Sequence, residues 1–131
     1  MDLPQLAKNA PWYKHIGMNP KLVNDRIVVE LELDKNKHLQ ALGTAHGGVI
    51  ATLLDSAIGL NINYKLFKMG KIAVTVQLNV QYIKPVNSGK IIGEGFILYI
   101  GDKIAIGQGQ VLNEDEERIA YGSATYYILK K

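Results

Sequence analysis

The chain has no cysteine, only four prolines and one tryptophan, and no apolar run long enough for a membrane. Without cysteine there is no disulfide framework, no thiolate nucleophile and no cysteine-ligated metal; this fits a cytoplasmic setting. Fifteen Lys and Arg against twelve Asp and Glu leave a formal charge of +3. The excess is dispersed rather than gathered in a basic run, so nucleic acid is not the expected partner. A mild positive bias does help attract small anions. The N-terminal MDLPQLAKNAPWYKH lacks the basic stretch and apolar core of a secretion signal. The longest apolar run, Val49–Ile62, is interrupted by Asp55 and Asn61 and falls short of the about 20 residues a bilayer requires. No membrane association is therefore expected. The 131 residues suit one domain over 1–131, able to bury roughly two thirds of its unfolded surface without staples.

What is present is an ordered series of elements. Leu3–Ala10 reads as a short helix ended by Pro11. Arg26–Leu33 reads as a strand, with a partner around Met18–Val23 across a turn at Asn24-Asp25. After a polar loop at Asp34–Ala45, a helix runs from about Gly47 to Phe67, and Lys65, Lys68 and Gly70 supply its stop. The apolar residues of this helix leave no obvious polar face, as burial on all sides requires. Beyond Gly70 the period becomes two. In AVTVQLNVQY, Val74, Val76, Leu78, Val80 and Tyr82 are expected on one face, with Ala73, Thr75, Gln77, Asn79 and Gln81 on the other. Strands over Ile91–Ile100, Lys103–Leu112 and Arg118–Leu129 follow, separated by Gly101-Asp102 and by the solvated turn Asn113–Glu117. Short turns imply antiparallel neighbours. The expectation is an α+β fold: a curved antiparallel sheet wrapped around one long central helix, bending at its glycines.

Asp55 is the anomaly in that helix, because a carboxylate in an apolar interior is costly unless paired or hydrogen-bonded. Its neighbours at three and four positions are Ala51, Thr52, Ile58 and Gly59; three of these are small, so a packed helix or a ligand can come close. Two readings stand: a structural acid bonded to a neighbour, or a general base or nucleophile. His46-Gly47-Gly48 opens the same helix. Its first N–H groups lack intrahelical partners, the dipole favours negative charge, and glycine leaves the backbone accessible. This is either an oxyanion site or a tight turn that glycine permits. Gly47 and Asp55 lie eight residues apart, about 12 Å along the helix, too far to act on one carbonyl from the same chain. If both act on one substrate, a second antiparallel copy must bring its Asp55 to Gly47, giving a two-fold dimer with two shared sites.

HGG, six intervening residues and an aspartate on the helix resemble the hotdog-fold acyl-CoA thioesterases, especially the PaaI-like type found with phenylacetate degradation. The resemblance extends through GTAHGG, the Asp55 helix, QYIKPVNSG and the glycine-bearing strands after it. It implies an Asp55 that activates water or attacks the thioester, and a Gly47 whose N–H polarises the carbonyl from the partner chain, with His46 and Gly48 in the same turn. Thr75 falls where the family often has a hydroxyl assisting the water, or is an ordinary strand residue. Where the family often has asparagine six residues before the histidine, this chain has Gln40, the same amide on a longer arm. Lys84 and Lys90 either meet the phosphates of coenzyme A or solvate a strand end. Trp12 and Tyr13, after Pro11, either pack over the sheet edge, cover the acyl pocket or pack in the core, the usual role of large aromatics.

The expected substrate is an aryl- or short/medium-chain acyl-CoA. No metal or cofactor is expected beyond coenzyme A in the substrate. The expected assembly is a homodimer with shared sites, pairing further into a dimer of dimers. Two alternatives stand beside hydrolysis: a hydratase-dehydratase acting on enoyl or hydroxyacyl thioesters, and an acyl-CoA-binding module without turnover. A same-chain His46–Asp55 pair is disfavoured for the former, since nine residues at 100° each place them on opposite sides of the helix.

Overall fold

The computed structural model describes residues 2–131. Two short helices, α1 (Leu3–Lys8) and α2 (Pro11–Ile16), lead into strands β1 (Asn19–Val23) and β2 (Arg26–Glu32). The long helix α3 (Gly47–Phe67) is followed by β3 (Lys71–Tyr82), β4 (Lys90–Ile100), β5 (Ile104–Leu112) and β6 (Arg118–Lys130). Pro11 does more than end the first helix. It occupies the first turn of α2, where its missing N–H costs nothing and its fixed φ suits the helix. Gly17, left-handed at φ +88°, closes that second helix. Asn24 and Asp25 take left-handed φ of +51° and +63°, the conformation that a two-residue hairpin turn demands.

The strands form one antiparallel sheet in the order β1-β2-β4-β5-β6-β3, so β1 and β3 are its edges. The sheet curves around α3 without closing into a barrel. Leu53, Leu54, Ala57, Ile58 and Ile62 of α3 are wholly buried against Ile27, Val29, Ile91, Val111 and Ile119 from the strands. Each large aliphatic side chain so buried contributes on the order of 1.5–3 kcal/mol. The sheet approaches the helix so closely that a Cβ on Gly95 would lie 2.3 Å from the Ala57 carbonyl oxygen. Here glycine serves close approach.

Two expectations need correction. First, α3 is not buried all round: Ala51, Thr52, Asp55 and Ser56 form a half-open stripe, and Gly48 is exposed. The polar Asn61 is nonetheless buried. Its Nδ2 donates to Ile27 O (2.7 Å) and Ala57 O (2.8 Å), and its Oδ1 accepts from Ile27 N (2.9 Å), stapling the helix to β2. Second, β3 does not alternate evenly. Thr75 pairs with Tyr126 but Gln77 pairs with Thr125, leaving Val76 as a bulge. An extra residue reverses the faces on either side of it. Before the bulge, Ala73 is buried and Thr75 reaches the helix while Val74 is exposed; after it, Leu78 and Val80 pack on the core and Tyr82 reaches the helix.

Candidate active site

Asp55 projects from the half-open stripe of α3 beneath the start of β3. Thr75 Oγ1 donates to Asp55 Oδ1 at 2.9 Å. The Tyr126 hydroxyl donates to the same oxygen at 2.8 Å and also lies 3.0 Å from the backbone oxygen of Asp55. Thr75 and Tyr126 are register partners in β3 and β6, so one cross-strand pair supplies both donors. Oδ2 has no hydrogen-bond partner among the described residues. The carboxylate borders an open cleft of about 310 Å³ whose walls include Tyr13, Ser56, Leu60, Val74, Thr75 and Tyr126. Burial, with the charge of Asp55 beside it, pushes the Tyr126 phenol far above its ordinary value, so it stays protonated and acts as a donor. Burial also raises the Tyr13 phenol, opposed by a hydrogen bond with Ser56 and reinforced by the Asp55 charge.

The second cluster stands at the N-terminus of α3. His46 is the cap, and its Nδ1 accepts from Gly48 N–H at 2.8 Å. The ring proton of the neutral side chain therefore sits on Nε2. A Cβ on Gly48 would press within 3.0 Å of that Nδ1. Val49 N–H and Ile50 N–H turn to the His46 carbonyl at 2.9 and 3.4 Å. Of the two glycine N–H groups expected to meet a substrate, that of Gly48 is thus engaged within the turn. The N–H of Gly47 has no acceptor among the described residues. The Tyr82 hydroxyl donates to Gly47 O at 2.6 Å, and a Cβ on Gly47 would lie 3.2 Å from that hydroxyl. Gly47 and Tyr82 share a cleft of about 320 Å³ with Ile50, Ile83, Lys84 and Val86.

The remaining expected residues divide. Lys84 borders the Gly47 cleft, ion-paired with Glu117. That pairing, with help from Asn113, holds the Glu117 carboxyl below its ordinary range. Lys90 stands elsewhere, in a groove with Glu32, Glu94 and Glu114, its Nζ 3.5 Å from Glu30. Gln40 spends its amide on its own loop, donating to Thr44 Oγ1 and accepting from Leu42 N–H. Trp12 is not in the core; it is exposed and stacked on His15 with ring centroids 5.9 Å apart. Tyr82, Ser56 and Tyr126 had not stood out in the sequence. Tyr126 lies in the strand expected over Arg118–Leu129, and nothing local signals where its hydroxyl ends.

A family model described as the thioesterase superfamily matches residues 42–120, well over half the chain. The chain belongs to the thioesterase superfamily. The match spans Gly47, Asp55, Thr75 and Tyr82, whereas Tyr13 and Tyr126 lie outside it. The medium/long-chain acyl-CoA thioesterase of Salmonella typhimurium is 31% identical over 99 residues, 63% of this chain and 61% of that protein. A Bacillus halodurans protein solved with CoA is 32% identical with a TM-score of 0.73, covering 77% of this chain and 70% of the other. The Escherichia coli PaaI protein from the phenylacetic acid degradation operon has a TM-score of 0.84 at 17% identity, covering 95% and 88%. That likeness shows the hotdog fold. The chain spans about six-tenths of the length of the first curated relatives it matches. In this superfamily member no helix among the described residues is long and apolar enough to cross a membrane.

Proposed function

We propose that this protein hydrolyses acyl-CoA thioesters with aryl or short- to medium-chain acyl groups. The observation that carries the reading is Asp55: a carboxylate with one oxygen engaged by two hydroxyls, the other without a hydrogen-bond partner among the described residues, at the side of an open cleft. In the proposed reaction the thioester carbonyl oxygen rests on the Gly47 N–H, where developing negative charge is stabilised. Asp55 takes a proton from water as the oxygen of that water bonds to the carbonyl carbon. The tetrahedral adduct collapses, the carbon–sulfur bond breaks, and the thiolate of coenzyme A leaves as the thiol with the proton that Asp55 took, releasing the free acid and restoring the Asp55 carboxylate. Lys84, which borders the Gly47 cleft, would meet the phosphates of the substrate by exchanging its Glu117 partner for them.

The two clefts belong to opposite ends of an about 12 Å stretch of helix, which favours a homodimer in which one protomer offers Gly47 and its partner Asp55. The free side of edge strand β3, with Val74 and Val76 exposed, and the half-open stripe on α3 suit that contact. Pairing of such dimers into a tetramer is a further part of the proposal.

The test is thiol release across phenylacetyl-, hexanoyl- and decanoyl-CoA, by wild type and by Asp55→Asn. Turnover lost in the variant supports the reading; equal turnover refutes it. Hydration of crotonyl-CoA without thiol release points instead to a hydratase, and tight binding without either product to a binding module. Co-expressed Asp55→Asn and Gly47→Val chains test the shared site: half the dimers are mixed with one intact site of two, so about a quarter of wild-type activity returns.

A further inference from the structure

Tyr126 lies outside the residues that match the family model, yet it makes the closest contact to the Asp55 carboxylate. It is 2% exposed, and its ring fits against α3 because position 59 is glycine: a Cβ there would lie 3.2 Å from the ring. A phenol has one proton to give, and here it spans both the Oδ1 and the backbone oxygen of Asp55. It therefore fixes the side chain relative to its own main chain. Thr75 reaches the same Oδ1 from the opposite strand, aimed inward by the bulge at Val76. Both donors converge on one oxygen, and none of the described residues hydrogen-bonds the other.

We infer that Tyr126 is a positioning residue that, together with Thr75, pins Oδ1 of Asp55 and thereby presents Oδ2 as the oxygen that works on the substrate. This rests on the thioesterase reading above and deepens it by assigning different tasks to the two oxygens. Thr75 holds the acid rather than the water. Tyr126 acts through Asp55 rather than as a base; removing its hydroxyl lets the carboxylate rotate out of line.

The experiment uses the purified full chain and measures kcat and KM separately for thiol release, alongside thermal unfolding. Tyr126→Phe, which keeps the ring, is expected to lower kcat roughly 10- to 100-fold, the worth of one hydrogen bond to a charged group, with KM within about twofold. Thr75→Val is expected to do the same, and Thr75→Ser to restore wild-type kcat. If Tyr126→Phe keeps full kcat while Asp55→Asn is inert, the positioning role is overturned and hydrolysis through Asp55 stands. If Asp55→Asn is itself fully active, both fall. Should Tyr126→Phe fail to fold, the Thr75 pair on the edge strand decides: Val and Ser variants with equal, wild-type kcat overturn the assignment, and a loss confined to Val upholds it.

Discussion

Asn61 gives its whole amide to the fold, with both Nδ2 protons placed on carbonyls and its Oδ1 on a backbone N–H. Asp55, six residues earlier on the same helix, commits one oxygen to two hydroxyls and leaves the other at a cleft. Both are polar interruptions of an apolar helix. The difference lies in completeness: a polar group whose bonding is finished inside the chain is structural, while one held half-finished at an opening is free for chemistry.

The sharpest way to break this contrast is to exchange what each side chain can do. Asp55→Asn keeps the shape and removes the base, so kcat for thiol release should fall by about 10²–10⁴, with a thermal midpoint close to wild type. Asn61→Leu should do the reverse. It leaves the N–H and carbonyl of Ile27 buried without partners, costing roughly 2–4 kcal/mol in urea unfolding, while activity per folded molecule stays near wild type. Asn63→Ala is a milder version. The amide of Asn63 pairs with Ala73 N–H (2.8 Å) and Ala73 O (3.1 Å) at the sheet edge, where water can replace it, so about 1–2 kcal/mol is expected.

The smallest effect lies far from the cleft. Lys21, hydrogen-bonded to Glu30, holds that carboxyl below its ordinary value of 4.5, with Lys90 adding to the effect. A depressed folded-state value stabilises the fold above pH 4.5 and loses that contribution as pH falls through it. Wild type should therefore exceed Glu30→Gln by a few tenths of a kcal/mol at pH 7, a margin that shrinks in thermal scans as pH is taken below 4.5.

Much of this architecture was legible in the residues. The bounds of α3 followed from Gly47-Gly48 at one end and Lys65, Lys68 and Gly70 at the other, and the strands from period-two runs between turn residues. What stayed hidden has physical causes. Pro11 reads equally as a stop and as a first-turn residue, so α2 went unseen. The bulge at Val76 adds one residue without any compositional mark, so even alternation put Val74 and Val76 on the side of Leu78 and Val80. Asp55 stood out as an acid in an apolar helix and Gly47 as a glycine at its start, but the hydroxyl of Tyr126 arrives from 71 residues away, beyond the reach of any local pattern. Gln40 was matched to a family position, whereas its amide closes a turn of its own loop.

The asparagine at position 63 also acts as an end-stop. Ala73 turns its N–H and carbonyl away from β6, and the Asn63 amide takes both, as the backbone of one more strand would do. Any strand laid along the open margin of the sheet meets this plug and must stop short of it. The register of such an addition is thus set by a side chain of the helix rather than by the margin itself.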